Sequence, residues 1–221
     1  MKKIIFLASI MVAGNASADE ELVGIGGSLK FESEVDGAFE SVYFKPGAGR
    51  KVAPFDIGLL FYYSPEALSP DKAKSVLQFS ESGVLEDDSG NAVGDRSNYM
   101  CAFVRMTDGC VVQVAEGEIC GGQWNSSSGW EASTYSNEKI IFEGGPSVAD
   151  LYKKYSSKRK VQLAGGKSLV SSYLQEGTSI ENVFSCDPLD SSNKDVYLKL
   201  LDALQEGGDL ESATKVKSLL N

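Results

Sequence analysis

The chain has 221 residues, of which 42% are hydrophobic and 24% charged, and its formal net charge is −10. This composition is typical of a folded globular protein and argues against a disordered chain. The negative charge argues against nucleic acid as a partner, because phosphate groups repel an acidic surface. The chain contains no histidine, which excludes catalysis by a serine or cysteine nucleophile paired with histidine.

The first eighteen residues have the pattern of a secretory signal peptide. Two lysines precede an apolar stretch over residues 4–13, and the small residues Ala16-Ser17-Ala18 follow. The apolar stretch is too short to span a membrane, which takes about 18 residues or more. We therefore expect cleavage after Ala18 and no membrane insertion. The mature chain, 19–221, has a net charge of −12 and is expected in the periplasm of a Gram-negative bacterium or in the medium.

Three elements are predicted before the first cysteine. The first is a β-hairpin over residues 22–45, because alternating apolar residues flank Asp36-Gly37, a dipeptide that favours a two-residue turn. The second is a buried strand over residues 56–64, where the sequence DIGLLFYYS is apolar in its middle. The third is a helix from Ser69 to about residue 79, since serine is a favoured N-cap and the proline that follows suits the first helical position.

The cysteines indicate how the middle of the chain is crosslinked. Cys101, Cys110 and Cys120 lie within twenty residues of each other, and Cys186 lies far downstream. No two of them have CxxC spacing, which argues against zinc binding and against thioredoxin-like chemistry. An exported protein keeps an even number of cysteines as disulfides. We therefore expect two structural disulfides, no metal site and no cofactor.

The pattern around these cysteines restricts how they pair. The sequence alternates on both sides of the Asp-Gly dipeptide at 108–109, which predicts a second β-hairpin that pairs Thr107 with Cys110. Cys101 then lies about 20 Å from Cys110 along the strands, whereas bonded cysteines have Cα atoms within about 7 Å. The hairpin therefore excludes a bond between these two cysteines and leaves Cys186 to bond with either of them.

Strands and helices are both predicted after the third cysteine. They are a strand over residues 139–142, a helix over 146–155, a strand over 161–164 and a helix over about 167–175. Strands come first and helices later, an order typical of an α+β fold with a mainly antiparallel β-sheet. Residues 19–190 are expected to form this α+β domain, which carries the disulfides.

Residues 191–221 are expected to form a C-terminal helical hairpin. Apolar residues recur at helical spacing in both halves, and the EGGD sequence between them supplies a glycine C-cap and the N-cap Asp209. In one interpretation this hairpin packs against the main domain. In the other, its apolar face docks another protein.

Both tryptophans of the chain lie in a stretch of small polar residues, GGQWNSSSGWE at 121–131. Trp124, Asn125, Trp130 and the nearby Tyr135 are the predicted binding residues. Aromatic rings stack on sugars or anchor protein interfaces, and an amide side chain supplies adaptable hydrogen bonds. The alternative interpretation is that the tryptophans are core residues beside a disulfide.

Two classes of function remain open. The first is a non-enzymatic binding protein of the bacterial envelope that recognises a basic protein, for example a wall hydrolase, because negative charge speeds encounter with basic partners. The second is a carbohydrate-directed protein, either a sugar-binding module or a glycoside hydrolase that uses two carboxylates. No catalytic residue is predicted, since the sequence alone selects no pair among the 31 acidic residues.

Overall fold

A computed structural model describes residues 19–86, 92–132, 140, 142–157 and 170–221. Within these residues, seven strands form one antiparallel sheet in which each strand pairs with the next along the chain. The strands of the sheet are β1 (Glu20–Val23), β2 (Gly27–Val35), β3 (Ala38–Pro46), β4 (Leu59–Tyr62), β5 (Lys74–Glu86), β6 (Ala92–Arg105) and β7 (Cys110–Glu116). Two short strands, β8 (Gln123–Trp124) and β9 (Trp130–Glu131), form a separate hairpin.

The α-helices follow the strands, so the predicted α+β class is confirmed. The described residues contain α1 (Val148–Ser157), α2 (Ile180–Cys186), α3 (Lys194–Glu206) and α4 (Leu210–Leu220). The helix predicted over 146–155 and the C-terminal helical hairpin are both present. Asp209 caps α4 as predicted, because its carboxylate accepts a hydrogen bond from the Ser212 amide at 3.1 Å. The sequence pattern did not reveal α2, which is only seven residues long.

The hairpin of β2 and β3 has the predicted turn. Val35 pairs with Ala38, and the two residues between them, Asp36 and Gly37, have φ angles of +52° and +82°. Two positive φ angles in succession define a type I′ turn, whose twist matches that of the strands it joins. The local sequence therefore determines this part of the sheet.

The segment between β1 and β2 lies close to the turn between β6 and β7. The Gly26 amide donates a hydrogen bond to the Met106 carbonyl at 3.1 Å, and the Ile25 amide donates to the Lys72 carbonyl, also at 3.1 Å. A Cβ atom on Gly26 would collide with the Thr107 backbone, so glycine permits this close approach. As a result, the single strand predicted from residue 22 is divided into β1 and β2.

One face of the sheet carries an aromatic hydrophobic core, the sheet core. The Phe61 ring lies 4.9 Å from that of Phe55 and 5.8 Å from that of Phe79, measured between centroids. Such ring pairs add attraction beyond the area that they bury. The buried residues of the sheet core are Leu22, Leu29, Phe31, Phe39, Val42, Phe44, Phe55, Leu59, Phe61, Ala67, Leu77, Phe79, Met100, Ala102, Val104, Met106 and Val111.

Residues 69–79 do not form the predicted helix, and β5 begins at Lys74 instead. The Ser69 hydroxyl accepts a hydrogen bond from the Lys74 amide at 3.0 Å and donates one to Asp71 at 2.6 Å. Serine therefore closes a turn here rather than capping a helix. Consecutive residues 75–77 are all buried, because both faces of this strand are covered. The sequence therefore does not show the alternation of apolar and polar residues that would have predicted a strand.

The predicted hairpin of β6 and β7 is present, but its predicted register is wrong. Arg105, and not Thr107, pairs with Cys110, so the turn has four residues instead of two. The Gly109 amide donates to the Arg105 carbonyl at 2.9 Å, and the Asp108 carboxylate accepts from the Cys110 amide at 3.0 Å. These bonds stabilise the wider turn. Val112 of β7 is the extra residue between the pairs Val104–Val111 and Phe103–Gln113, so a bulge in β7 shifts the pairing further along the strands.

The helices surround a second hydrophobic core, the helical core. Both α1 and α4 pack against α3, so the C-terminal hairpin shares its apolar interior with the preceding helices. The buried residues of the helical core are Val148, Leu151, Tyr155, Val170, Ile180, Val183, Tyr197, Leu200, Ala203, Leu204, Ala213 and Val216. The division of the chain at residue 190 stays a prediction.

Helix α2 connects the helical core to the edge of the sheet. Asn182 is fully buried, and its Oδ1 accepts a hydrogen bond from the Val111 amide at 2.7 Å. Its Nδ2 donates to the Val111 carbonyl at 3.0 Å. A side-chain amide thus takes the place of a neighbouring strand and satisfies the outward-facing backbone groups of one residue of β7.

Several predicted elements lie wholly or partly outside the described residues. The signal peptide over 1–18 and the strand over 161–164 lie outside them, and residues 140 and 142 belong to no strand. The described part of the helix predicted over 167–175 is wrong, since it contains a short 3-10 turn, Ser171–Tyr173. None of the helices within the described residues has both the length and the hydrophobicity that a membrane-spanning helix requires.

Candidate binding groove

The two tryptophans face each other in the β8–β9 hairpin, the tryptophan hairpin. Trp124 pairs with Trp130, and Asn125 organises the loop between them. The Asn125 Oδ1 accepts hydrogen bonds from the Ser127 and Gly129 amides at 3.0 and 2.9 Å. Asn125, a predicted binding residue, therefore uses its side-chain carbonyl within the hairpin. These hydrogen bonds form an Asx-type turn, which fixes the loop conformation.

Both indole rings are half-buried and hydrogen-bonded to the protein interior. Trp124 donates from Nε1 to the Ala67 carbonyl at 3.1 Å, and Trp130 donates from Nε1 to the Ile119 carbonyl at 2.8 Å. The two rings meet edge to face with centroids 5.1 Å apart. Because both indole N–H groups are already bonded to protein carbonyls, the part of each ring that can contact a ligand is its carbon surface.

The tryptophan hairpin covers the second face of the sheet beside a disulfide. Trp130 and Phe142 each lie edge to face with Phe103, with centroids 5.9 and 5.8 Å apart. Cys101 and Cys120 belong to the same apolar cluster. Part of each indole ring thus contributes to a small core, as one of the two interpretations of the sequence proposed.

The four cysteines form two disulfides, Cys101–Cys120 and Cys110–Cys186, with Cα atoms 5.5 and 4.8 Å apart. The predicted absence of a bond between Cys101 and Cys110 is confirmed, and Cys186 bonds with Cys110. The pair of disulfides indicates an oxidising, non-cytoplasmic compartment. The first disulfide joins β6 to the 3-10 turn Gly117–Gly121, which leads into the tryptophan hairpin, so it fixes one end of that hairpin.

A groove of about 610 Å³, the aromatic groove, lies between the tryptophan hairpin and the segment that follows β4. Its volume is within the range of small-ligand sites, roughly 300–1,000 Å³. Four aromatic residues line it, Tyr62, Tyr63, Trp124 and Trp130. The other lining residues are Ser64, Glu66, Ala67, Leu68, Pro70, Val76, Gln78, Gly122 and Gln123.

The polar part of the lining has one carboxylate and two side-chain amides. Glu66 is the single charged residue among the described residues that line the groove, and it is exposed. It lies in a short 3-10 helix whose N-cap, Ser64, accepts a hydrogen bond from the Glu66 amide at 3.2 Å. Gln78 and Gln123 add neutral donors and acceptors. The aromatic groove is therefore weakly acidic.

Acidic residues also lie in the segments that lead into and out of the groove. Glu116 and Glu118 precede β8, and Glu131 ends β9; all three are exposed. The Glu131 carboxylate accepts a hydrogen bond from Asn125 Nδ2 at 2.9 Å. Their charge reinforces that of the groove lining.

The loop of the tryptophan hairpin is bound to the turn before β5. Lys74 donates from Nζ to the Ser128 carbonyl at 3.0 Å, and the Asp71 amide donates to the Ser128 hydroxyl at 3.1 Å. Burial acts to raise the pKa of Asp71, but hydrogen bonds from the Ser69 hydroxyl, the Ala73 amide and the Ser128 hydroxyl lower it below its usual value. The ionised form of Asp71 therefore stabilises the position of the hairpin.

The structure brings together two of the four predicted binding residues. Trp124 and Trp130 line the aromatic groove, whereas Asn125 lies in the loop of the hairpin. Tyr135 lies outside the described residues. The predicted loop is therefore one wall of a groove and not a separate surface.

Sequence reasoning missed the opposite wall of the groove, Tyr62, Tyr63 and Glu66. The run FYYS was interpreted as the end of a buried strand, and Phe61 is indeed fully buried in the sheet core. Neighbouring residues of a strand point to opposite faces, so Tyr62 leaves the core where Phe61 enters it. This alternation of side-chain directions could have indicated that Tyr62 lies outside the sheet core. Nothing in the sequence, however, showed which element covers the second face of the sheet.

Metal ions and relatives supply no further indication of function. Among the residues with a described position, no group of three or more His, Cys, Asp or Glu side chains is placed to hold a metal ion. Comparisons with protein-family models, with curated proteins and with solved structures give no match to this chain. The function is therefore inferred from the chemistry of the aromatic groove.

Proposed function

We propose that this chain is an exported, non-enzymatic binding protein that recognises a basic protein partner through the aromatic groove. Cleavage after Ala18 releases it into the periplasm of a Gram-negative bacterium or the medium, where its two disulfides persist. The observation that supports the proposal is a groove lined by four aromatic residues and one carboxylate, Glu66.

A lysine or arginine side chain of the partner suits this lining. Its aliphatic stem packs against the rings, while its charged end interacts with the ring faces and with Glu66. A cation held over an aromatic ring contributes about 0.5–2 kcal/mol, depending on how far it is desolvated. An arginine also stacks its planar guanidinium group on the rings.

The charge of the whole chain favours the same partner. After loss of the signal peptide the net charge is −12, and such a charge raises the association rate with basic proteins. Salt screens this attraction beyond about 8 Å at physiological ionic strength. The association rate is therefore expected to fall as the salt concentration rises.

The aromatic groove is also rigid before a ligand arrives. Hydrogen bonds anchor Trp124 and Trp130, and the Cys101–Cys120 disulfide joins the sheet to the segment before the tryptophan hairpin. Groups that are already ordered lose less entropy on binding, which raises affinity. A preformed site of this kind suits recognition.

A carbohydrate is the second candidate ligand, and the neutral amides of the groove favour it. Gln78, Gln123 and Ser64 present groups that hydrogen-bond to sugar hydroxyls, and the rings stack on sugar faces. Glycoside hydrolysis uses two carboxylates, whereas Glu66 is the one carboxylate among the described lining residues. Sugar binding, rather than hydrolysis, is therefore the alternative.

The two candidates are separated by titrating the mature chain with two probes. One is a nonapeptide of alternating arginine and glycine, and the other is a neutral tetrasaccharide of N-acetylglucosamine. Calorimetry and tryptophan fluorescence at low and physiological salt measure both affinities. We expect the peptide to bind, more weakly at physiological salt. Binding of the tetrasaccharide alone, or peptide binding that salt leaves unchanged, contradicts the proposal and favours the carbohydrate.

Variants assign the binding to the groove. Glu66→Gln is expected to weaken peptide binding by roughly twofold to fivefold, the effect of an exposed ion pair. Glu40→Gln is the matched control, because Glu40 is exposed on β3 and does not line the groove.

Trp124→Ala is expected to raise the dissociation rate. Tyr62→Leu removes a ring without loosening the hairpin and is expected to do the same, with thermal melting as the check on folding.

A further inference from the structure

A second cavity lies between the sheet and the helices, away from the aromatic groove. Its volume is about 310 Å³, at the lower end of the range for small-molecule sites, roughly 300–1,000 Å³. The surface of this interlayer cavity is mainly apolar. Its apolar lining residues are Pro46, Val52, Phe184, Pro188 and Leu219.

Three cations line the same cavity, although the mature chain is strongly acidic. They are Arg50 and Lys51, which follow β3, and Lys215 of α4. Lys51 lies 3.4 Å from Glu32, and Lys215 lies 3.1 Å from Glu211, whose side chain is 80% exposed. Such solvent-exposed pairs are weak, so these cations remain able to attract an anion.

The acidic residues of the cavity are already bound to other protein groups. Asp108 lies 2.8 Å from Arg105 in an ion pair, and Glu181 accepts a hydrogen bond from the Ala53 amide at 3.0 Å. Arg50, in contrast, donates to a neutral group, the Ser218 hydroxyl, at 2.9 Å. Counted over the lining alone, three cations against two carboxylates leave the cavity with a net charge of +1.

A buried hydroxyl in the lining provides an independent indication of a ligand. Ser185 is 7% exposed, and its Oγ has no hydrogen-bond partner among the described residues. A buried polar group left without a partner costs about 1–3 kcal/mol, and native structures contain few of them. In this conformation the Oγ has almost no accessible surface. Because Ser185 lines the cavity, rotation of its side chain towards the cavity would give the hydroxyl a ligand oxygen as acceptor and remove the cost.

We propose that the interlayer cavity binds a single-chain amphiphile with an anionic headgroup, a carboxylate or a phosphate. The apolar chain occupies the space beside Phe184 and Leu219. The headgroup interacts with Arg50 and Lys215 and accepts a hydrogen bond from Ser185. This site shares no lining residue with the aromatic groove, so the two proposals stand or fall separately.

The first test is a chain-length series on the mature protein, measured by calorimetry. Butanoate, hexanoate, octanoate and decanoate are compared with the matching alkyl phosphates and with octanol. Each added methylene group is expected to tighten binding about fourfold until the cavity is full. Either anionic series supports the proposal, and the tighter one identifies the headgroup. Octanol bound as tightly as both anions, or affinity independent of chain length, overturns it.

The second test uses variants of the cavity. Replacing two of the three cations, Arg50→Gln with Lys215→Gln, is expected to weaken octanoate binding about fivefold to tenfold and to leave octanol binding unchanged. Ser185→Leu fills the space and is expected to abolish binding of both. Lys217→Gln is the matched control, since Lys217 is exposed on α4 and does not line the cavity. Unchanged octanoate affinity in the double glutamine variant, with normal thermal melting, contradicts the proposal.

Discussion

The sheet core and the helical core are built from the chain in different ways. In the sheet every strand pairs with its neighbour in sequence, so its contacts form with little loop-closure entropy. The helical core gathers α1 to α4 across residues 148–220 and meets β7 through α2. The sheet can therefore be stabilised by local pairing. The helical half depends on its own packing and on contacts with other segments, among them two anchors from α2 to β7.

Those two anchors are adjacent in the structure and different in kind. The Cys110–Cys186 disulfide is covalent and spans 76 residues of sequence, and Asn182 supplies two hydrogen bonds to the backbone of Val111. Both come from α2 and both hold the edge strand β7. From the difference between the cores we predict that truncation of the helices, or substitution of these anchors, destabilises the helical half before the sheet.

Truncation after Ser191 is expected to have the largest effect. It removes six buried residues of the helical core, and each large buried side chain contributes about 2–5 kcal/mol. This exceeds what a marginally stable domain can lose. We expect α1 and α2 to unfold while the sheet keeps its pairing, seen as a loss of helical circular dichroism and as binding of a hydrophobic dye. Retention of α1 with unchanged melting would instead support a domain boundary at residue 190.

Removal of the disulfides is expected to rank by loop length. The Cys110–Cys186 loop spans 76 residues and the Cys101–Cys120 loop spans 19. Replacing each pair by serine is expected to cost about 4.5 and 3 kcal/mol of unfolding free energy, since a longer loop constrains the unfolded chain more. Urea denaturation followed by tryptophan fluorescence measures both, and each variant is the control for the other. Equal costs would contradict the dependence on loop length.

Asn182→Ala is expected to cost about 2–3 kcal/mol, because it leaves a buried amide and a buried carbonyl of Val111 without partners. Hydrogen exchange at the Val111 amide is the direct measurement, and protection there should fall most. Lys199→Ala, at an exposed position of α3, is the matched control. If protection falls equally throughout β6 and β7, the anchor does not act locally.

Asp71→Asn is expected to have the smallest effect, limited to acid. The pKa of Asp71 is lowered below its ordinary value of 3.8, so its stabilisation of the tryptophan hairpin is present above that pH and is lost as the pH falls through the lower, folded-state pKa. The wild-type chain should show a step in tryptophan fluorescence below about pH 3.8. The variant should lack this step, and an identical step in both would assign the change to another carboxylate.

Local patterns were sufficient for several elements. Asp36-Gly37 predicted its own turn, since the left-handed conformations that it favours are a property of two residues. The caps and spacing of the C-terminal hairpin predicted α3 and α4 for the same reason. The Ser69 helix failed because the start of β5 is buried on both faces, and a strand of this kind shows no alternation in the sequence.

The groove could be predicted only in part. Trp124 and Trp130 were identified because they lie close together in a polar stretch. Tyr62 and Glu66, about sixty residues earlier, were not, because nothing in the chain between them specifies that the tryptophan hairpin folds over the second face of β5. The interlayer cavity was missed for the same reason, since most of its residues come from the segment that ends and follows β3, from the turn between β6 and β7, and from α2 and α4.

The α+β class, the presence of two disulfides and the absence of a Cys101–Cys110 bond follow from the pattern of residues along the chain. That absence holds although the predicted register was wrong, because Cys101 still pairs with Ala115, five residues beyond Cys110. The bond of Cys186 with Cys110 depends on long-range packing. The aromatic groove and the interlayer cavity depend on it as well. Turns, caps and distances along a strand follow from neighbouring residues, whereas the choice between two cysteines on adjacent strands depends on where a distant helix packs.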